Sequence, residues 1–239
     1  MDSSEFYAEF APWYGAYAQT KWTYIQSVNN FIEGKIKDVL TIIDIGAGDG
    51  SRLQKILIGL NKSVKATAVD DSDGMVDLLK KDATGIEVFK GDIASSEFHL
   101  SGKYDAVLCL CNVLGHIADK EGRLMALKNM ANLLEDNGSL FLDVNNRYNI
   151  AQYGFKSVLV NLAKDIFSPN ARNGNFILNV PAGNRRISTT VHIFSPGEME
   201  GLLRATGLKV VQRKIIHYQT GRQMNTIWSG QLAYQLAKS

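Results

Sequence analysis

The sequence predicts an α/β fold: a doubly wound, mostly parallel sheet of seven strands with helices on both faces, an N-terminal helical lid, and a small insertion after the fifth strand. Three observations predict it. Val39 to Ile45 is nearly all apolar and β-branched, without the alternation of a half-exposed strand. Such a run suits a central parallel strand covered on both faces. It passes into glycines at 46, 48 and 50 and then into a helical pattern. Beyond that, short apolar runs and helical patterns alternate as β, α, β, α, β and then β, α, β, the rhythm of right-handed crossovers.

The elements follow in order. Residues 5 to 34 are rich in aromatics, from Phe6 to Phe31, with helical spacing from about Lys21 to Ile36. They read as an amphipathic lid over an apolar rim, or as the lining of a ligand pocket. Ser51 to Leu60 carries Leu53, Ile56, Leu57 and Leu60 on one helical face. Lys65 to Val69 is a strand ending at Asp70, Asp73 to Lys81 a helix, and Ile86 to Phe89 a strand ending at Gly91-Asp92. Tyr104 to Leu110 is the fourth strand. Asp119 to Leu134 is a helix with Asn137-Gly138 as its stop signal, and Ser139 to Val144 is the fifth strand.

Then the rhythm breaks. Gly154 to Phe167 is helical, and Asn175 to Asn179 and Ile187 to Phe194 read as strands around Pro181-Ala182-Gly183-Asn184. Ser195-Pro196-Gly197-Glu198 has the form of a capping box opening a helix that ends near Gly207. Leu208 to His217 and Thr226 to Leu236 are the last two strands. The expected division is a lid over residues 1–38 and a main domain over 39–239, with the insertion at 145–194.

Composition narrows the class. The 239 residues include 26 basic and 24 acidic ones, a net charge of +2. That balance creates no long-range field for polyanions, so neither nucleic acid nor an anionic membrane is expected as main partner. No apolar run approaches the roughly 18–20 residues of a spanning helix. The start, MDSSEFYAEF, lacks a basic stretch followed by an apolar one, so a cytoplasmic setting is expected. Cys109 and Cys111 lie two apart in one apolar run, which suits neither a disulfide nor a metal set. No metal is expected.

The loop after the first strand carries the chemistry. Its spacing is G-x-G-x-G, with Ser51 next, and no G-K-[ST] follows, so it is not a phosphate-cradling loop. Glycine there removes side chains where the backbone turns tightly toward a ligand. Asp70 stands 20 residues after Gly50, at the end of the second strand. A carboxylate there can accept two hydrogen bonds from a ribose diol and would repel a 2′-phosphate. Asp92, at the end of the third strand, can accept from the exocyclic amine of adenine, with Ile93 as its apolar neighbour. Three such features at three successive strand ends point to one ligand.

Asp44-Ile45-Gly46-Ala47-Gly48-Asp49-Gly50, Val69 to Met75, Lys90-Gly91-Asp92-Ile93, Tyr104 to Val107 and Leu134 to Ser139 together resemble the class I S-adenosylmethionine-dependent methyltransferases, Rossmann-like enzymes, here of the small-molecule type. The resemblance implies that Gly46, Ala47, Gly48 and Gly50 face the methionine part of the donor. It puts Asp70, with Asp71, at the ribose, and Asp92, Ile93 and Met75 at the adenine. Tyr14 resembles a tyrosine often found near the cofactor, although Gly15 replaces the usual Asp after it. Cys109 to His116 is similar to the loop that passes the donor sulfur in N-methyltransferases of the glycine-methylating type, which adds Leu110 to the cofactor residues and Asn112 to the acceptor residues. Asp143 to Asn149 loosely resembles their segment after the fifth strand, and brings Arg147 and Tyr148 in as acceptor ligands. The N-P-P-[YF] signature of base and glutamine methylation is absent; Cys111-Asn112-Val113-Leu114 stands there.

The expected reaction is in-line displacement from S-adenosylmethionine to an amine or hydroxyl of a small metabolite, leaving S-adenosylhomocysteine. The methyl group arrives activated, so the protein mainly aligns the partners and excludes water. A hydroxyl acceptor also gains from a base. His116 is the first candidate and His192 the second, although each reads first as a structural residue. Arg147 reads as a fork for a substrate carboxylate or as a solvated loop residue. Tyr17 and Trp22, from the aromatic segment, are candidate acceptor-pocket residues. A tRNA or rRNA methyltransferase and a non-catalytic S-adenosylmethionine-binding protein are the competing readings. Oligomeric state is left open.

Overall fold

A computed structural model describes residues 1–60 and 63–239. Two helices come first. α1 (Ser3–Gln19) starts behind Asp2, whose Oδ1 accepts from the Glu5 N–H at 2.8 Å. α2 (Trp22–Glu33) follows a break at Thr20-Lys21. Then come β1 (Thr41–Ile45), α3 (Ser51–Leu60), β2 (Lys65–Asp70), α4 (Asp73–Asp82), β3 (Ile86–Lys90), β4 (Tyr104–Cys109), the short α5 (Val113–His116), α6 (Lys120–Leu133) and β5 (Leu134–Val144). The insertion forms α7 (Ile150–Tyr153), α8 (Phe155–Phe167) and a separate hairpin, β6 (Asn175–Ala182) with β7 (Arg185–His192). α9 (Pro196–Ala205), β8 (Leu208–Ile216), β9 (Gln223–Met224) and β10 (Gln231–Lys238) complete the main sheet.

The sheet order is β3-β2-β1-β4-β5-β10-β8-β9. β1 to β5 run parallel to one another, and β10 runs antiparallel between β5 and β8. This is the expected mixed, mostly parallel α/β sheet. Against the seven strands expected, there is an eighth, β9, a two-residue edge strand paired to Ile215 and Ile216. Strand alternation sorts the core onto two faces. Ile43, Ile45 and Val107 pack with α6 and α9, while Ile42, Ala66, Ala106 and Leu108 pack with α2 and α3.

Two local expectations are corrected. Asn137-Gly138 does not stop α6. β5 begins at Leu134 and runs through both residues, with a register shift opposite Tyr104 to Ala106. A Cβ on Gly138 would lie 3.0 Å from the carbonyl oxygens of Tyr104 and Asp105, so close backbone approach at this irregularity selects the glycine. Likewise Pro181 and Ala182 belong to β6, and the turn is only Gly183-Asn184. An isolated two-stranded hairpin has free edges, so a proline without an N–H is tolerated there.

The aromatic segment divides its labour. α2 buries Tyr24, Ile25, Val28, Phe31 and Ile32 in the core on one face of the sheet. α1 lies elsewhere, over the carboxyl ends of the strands. Its Phe6 and Phe10 pack with Val180, Ala182 and Ile187 of the hairpin. Its backbone also comes close to α4, where a Cβ on Gly74 would sit 2.7 Å from the Ala8 carbonyl oxygen. Among the described residues no helix is long and apolar enough to cross a membrane.

Candidate active site

The glycine loop after β1 folds as its composition requires. Gly46, Gly48 and Gly50 have φ of 68°, 59° and 73°, a left-handed conformation that side chains rarely adopt. Gly48 N–H donates to Asp70 Oδ2 at 2.9 Å, and Ser72 N–H donates to Asp70 Oδ1 at 3.0 Å. The carboxylate at the end of β2 thereby ties the glycine loop to the start of α4. Burial raises the Asp70 pKa to about 6, with the two backbone hydrogen bonds opposing that shift. Asp92 Oδ1 accepts from Ala94 N–H at 2.8 Å.

A cavity of about 580 Å³ opens at these strand ends. It is lined by Gly46, Gly48, Asp70, Asp71, Met75, Asp92 and Ile93, and by Tyr14 from above. Tyr14 reaches over the loop: a Cβ on Gly48 would lie 3.2 Å from its hydroxyl oxygen. Gly50 does not line this cavity. A Cβ there would come within 2.6 Å of Leu79 Cδ2, so Gly50 serves the packing of α3 against α4.

The loop after β4 makes the second half of the site. Cys111 and Asn112 are consecutive non-glycine residues with φ of 62°, a strained pair held by several hydrogen bonds. Cys111 N–H donates to Asp143 Oδ1 at 2.9 Å, and Asn112 N–H donates to the Asp143 carbonyl at 3.1 Å. The Asn112 side chain accepts from Asn145 N–H at 2.8 Å and donates to the His192 carbonyl at 3.2 Å. The turn projects Cys111 into three cavities.

The second of these cavities, about 190 Å³, is lined by Tyr17, Lys21, Asn112, Tyr153, Leu178 and Tyr218 among others. It shares Tyr7, Tyr14, Cys111 and His116 with the first cavity. The third, about 270 Å³, is lined by Trp22, Asp44, Ala47, Arg52, Leu110 and Cys111. Here Arg52 donates through Nε to Asn29 Oδ1 at 2.8 Å and lies 3.6 Å from Asp143, while its buried Nη2 has no partner. Burial raises the Asp44 pKa to about 7, with Arg52 pulling it back.

His116 lies at the shared wall. Its Nε2 is 3.1 Å from the Tyr7 hydroxyl, and its buried Nδ1 has no partner. Burial first, and the Lys21 ammonium second, lower its pKa to about 4, so the imidazole is neutral at neutral pH. Burial pushes the Tyr7 phenol far above its ordinary range, so it remains protonated.

Other candidate residues lie away from these cavities. His192 is buried between Asn175 Oδ1 and Glu198 Oε1, each at 2.8 Å. Arg147 is no solvated loop residue and no open fork. Its guanidinium grips Asp165 through Nε at 2.8 Å and Nη2 at 3.0 Å, and Glu198 through Nη1 at 2.6 Å. Tyr148 donates to Asp165 at 2.6 Å. His192, Arg147 and Tyr148 line none of the three cavities. Sequence reasoning passed over Tyr7, Lys21, Arg52, Tyr153 and Tyr218 as site residues. Only Tyr7 carried a usable signal, since it stands two helical turns before Tyr14 on the same face.

This fold, with its glycine loop and strand-end carboxylates, defines a class I S-adenosylmethionine-dependent methyltransferase. The chain belongs to the methyltransferase-domain family, whose model matches residues 14–213. Solved structures of similar fold include an S-adenosylmethionine-dependent methyltransferase from Clostridium acetobutylicum, at 15% identity and a TM-score of 0.63, covering 90% of this chain and 92% of that one. CalS10, an amino pentose methyltransferase from Micromonospora echinaspora involved in calicheamicin biosynthesis, is 15% identical with a TM-score of 0.62, covering 95% and 96%. A possible histamine N-methyltransferase from Thermotoga maritima is 16% identical with a TM-score of 0.61, covering 98% and 100%. At such identities the likeness speaks for the fold. No curated protein matches the sequence.

The cofactor is S-adenosylmethionine, and the cavity residues fit its chemistry. Asp70 offers a carboxylate to a diol, and Arg52 offers an orphaned, buried donor to a carboxylate. Among the described residues no group of three or more His, Cys, Asp or Glu is placed to hold a metal ion.

Proposed function

We propose that this enzyme methylates an amine or hydroxyl of a small metabolite held in the second cavity. In this reading the first and third cavities take the donor. Asp70 and Asp71 serve the ribose, and Asp92, Ile93 and Met75 the adenine. Gly46, Ala47, Gly48, Leu110, Tyr14 and Arg52 serve the amino-acid end. Tyr17 and Asn112 serve the acceptor. α1 and the β6–β7 hairpin act as its cover, within the lid and insertion expected at residues 1–38 and 145–194. The observation that carries the reading is the wall of Tyr7, Tyr14, Cys111 and His116 common to the first two cavities. A methyl group has to pass between donor and acceptor over a short, dry path, and at this wall the first two cavities meet. The third meets the second at Tyr14, Ala18, Ile25 and Cys111, so Tyr14 and Cys111 bound all three.

Bound S-adenosylmethionine supplies an already activated methyl group. The residues of the chain do the rest. α1 and the hairpin exclude water. Tyr17, Tyr153 and Tyr218 supply aromatic walls that fix an acceptor's orientation. With Nε2–H donating to Tyr7, His116 keeps a lone pair on its unpartnered Nδ1. That nitrogen can take the proton of a hydroxyl acceptor, and an amine acceptor needs only to enter unprotonated. The amino pentose and histamine acceptors named for two proteins of like fold support the small-molecule class.

The test is a radiolabelled methyl assay over small amines and phenols, run beside bulk tRNA. Transfer to small molecules is expected. Leu178→Trp, which fills the second cavity from a half-buried position, should abolish that transfer while S-adenosylhomocysteine affinity holds. Transfer confined to RNA, or surviving Leu178→Trp, would overturn the reading.

A further inference from the structure

The second cavity holds a single charge. Among its lining residues only Lys21 is ionised at neutral pH, since its phenols, amides, Cys111 and the neutral His116 carry none. The Lys21 ammonium lies 3.8 Å from the centre of the Tyr17 ring. No carboxylate among the described residues lies within ion-pair distance of it. No acidic residue lines the cavity either.

The position is also locally unfavourable. Lys21 is the N-cap residue of α2, makes no side-chain cap, and has no acidic residue in the first turn after it. A cation at the positive end of a helix opposes the dipole, and a Ser, Thr, Asp or Asn would satisfy an orphan N–H there. Burial draws the Lys21 pKa down, but the Tyr218 and Tyr17 hydroxyls outweigh it and hold it above the ordinary value. The charge is therefore retained and felt across the cavity, at His116 and at Tyr153. The folded protein offsets this only with the Tyr17 ring face and the Tyr17 and Tyr218 hydroxyls, neutral partners that leave the positive charge without a counter-charge. A local rule broken without full compensation marks a functional position.

We infer that the methyl acceptor carries a carboxylate, which Lys21 binds while the acceptor's apolar body lies against Tyr17, Tyr153 and Tyr218. The inference rests on the second cavity being the acceptor site. It sets a direction for the substrate: anion at Lys21, reacting atom at the wall of Tyr7 and His116. A purely cationic acceptor is disfavoured by the same charge.

The experiment uses benzoate and benzamide, alike in size and different in charge, titrated into protein saturated with S-adenosylhomocysteine. Wild-type protein should bind benzoate at least about tenfold more tightly, as expected for one charge-assisted hydrogen bond. Lys21→Gln should erase the preference and Lys21→Arg should keep it, with S-adenosylhomocysteine affinity unchanged in both. Benzoate binding that is absent, or no tighter than that of benzamide, overturns the inference, and so does a preference that survives Lys21→Gln. Leu178→Trp separates the two levels. If it excludes benzamide from a wild-type site that shows no charge preference, only the carboxylate inference falls. If both probes bind Leu178→Trp unchanged, they bind elsewhere, and the cavity assignment falls with it.

Discussion

In the proposed arrangement three neighbouring strand ends and one glycine loop make the donor side, whereas the acceptor side is assembled from α1, the α1–α2 break, the turn after β4, α7, the hairpin and the turn after β8. The first is mostly backbone geometry with a few carboxylates. The second is mostly side chains, and aromatic ones. A donor common to a family can be held by features that recur at fixed places in a sheet. An acceptor peculiar to one enzyme is met by loops and appended elements, which vary without disturbing the sheet.

The largest expected effect breaks the donor side. Asp70→Ala should weaken S-adenosylhomocysteine binding roughly 10³-fold by calorimetry, since two hydrogen bonds to a charged group are lost. Unchanged affinity would remove Asp70 from the ribose. The same residue gives a pH dependence. Burial lifts its folded-state pKa from 3.8 to about 6, so its ionisation disfavours the folded protein increasingly as pH rises through that window, and the penalty is complete above it. Donor affinity runs the opposite way, because the ionised form accepts from both ribose hydroxyls. Below about pH 6 affinity should fall by up to roughly tenfold per pH unit, and Asp70→Asn should flatten that profile.

The contrast also explains what the sequence discloses. A glycine with positive φ and an aspartate at a strand end are local features, legible as G-x-G-x-G, Asp70 and Asp92 before any tertiary contact is known. Tyr7, Lys21, Tyr153 and Tyr218 meet only after the sheet, α1 and the insertion have closed together. Arg147 shows the converse. Its segment reads as acceptor-binding, but its partners Asp165 and Glu198 stand 18 and 51 residues further on, and no local pattern announces them. Arg147→Ala leaves two carboxylates without their counter-charge, so the folded protein should lose about 3 kcal/mol, read by denaturant unfolding. S-adenosylhomocysteine affinity and acceptor KM should hold. A raised acceptor KM at unchanged stability would return Arg147 to the acceptor side.

His116, on the wall between the two sides, is expected to affect rate alone. His116→Ala should lower kcat on a hydroxyl acceptor by roughly 10²-fold, the lower end of base catalysis, with little change in S-adenosylhomocysteine affinity. Because its pKa is lowered to about 4, the kcat–pH profile should show no limb from this residue near neutrality. A fall in donor affinity without a fall in kcat would make it a wall residue only.

The smallest effect tests where the boundary between the sides runs. Trp22 reads from sequence as an acceptor residue, yet its ring lines the third cavity beside Ala47, Leu110 and Arg52 and carries the Lys55 ammonium 3.8 Å above it. An exposed cation–π pair of this kind contributes about 0.5–1 kcal/mol. Trp22→Leu keeps an apolar side chain but loses that pair and part of the wall behind the donor's amino-acid end. Loss of the pair should cost about 0.5–1 kcal/mol of fold stability. Loss of part of the wall, on the order of one buried CH2 of contact, should weaken S-adenosylhomocysteine affinity by roughly two- to fivefold with acceptor KM level. The reverse pattern, a raised acceptor KM at constant donor affinity, would move Trp22 across the boundary and make α2 part of the acceptor side as well as of the core.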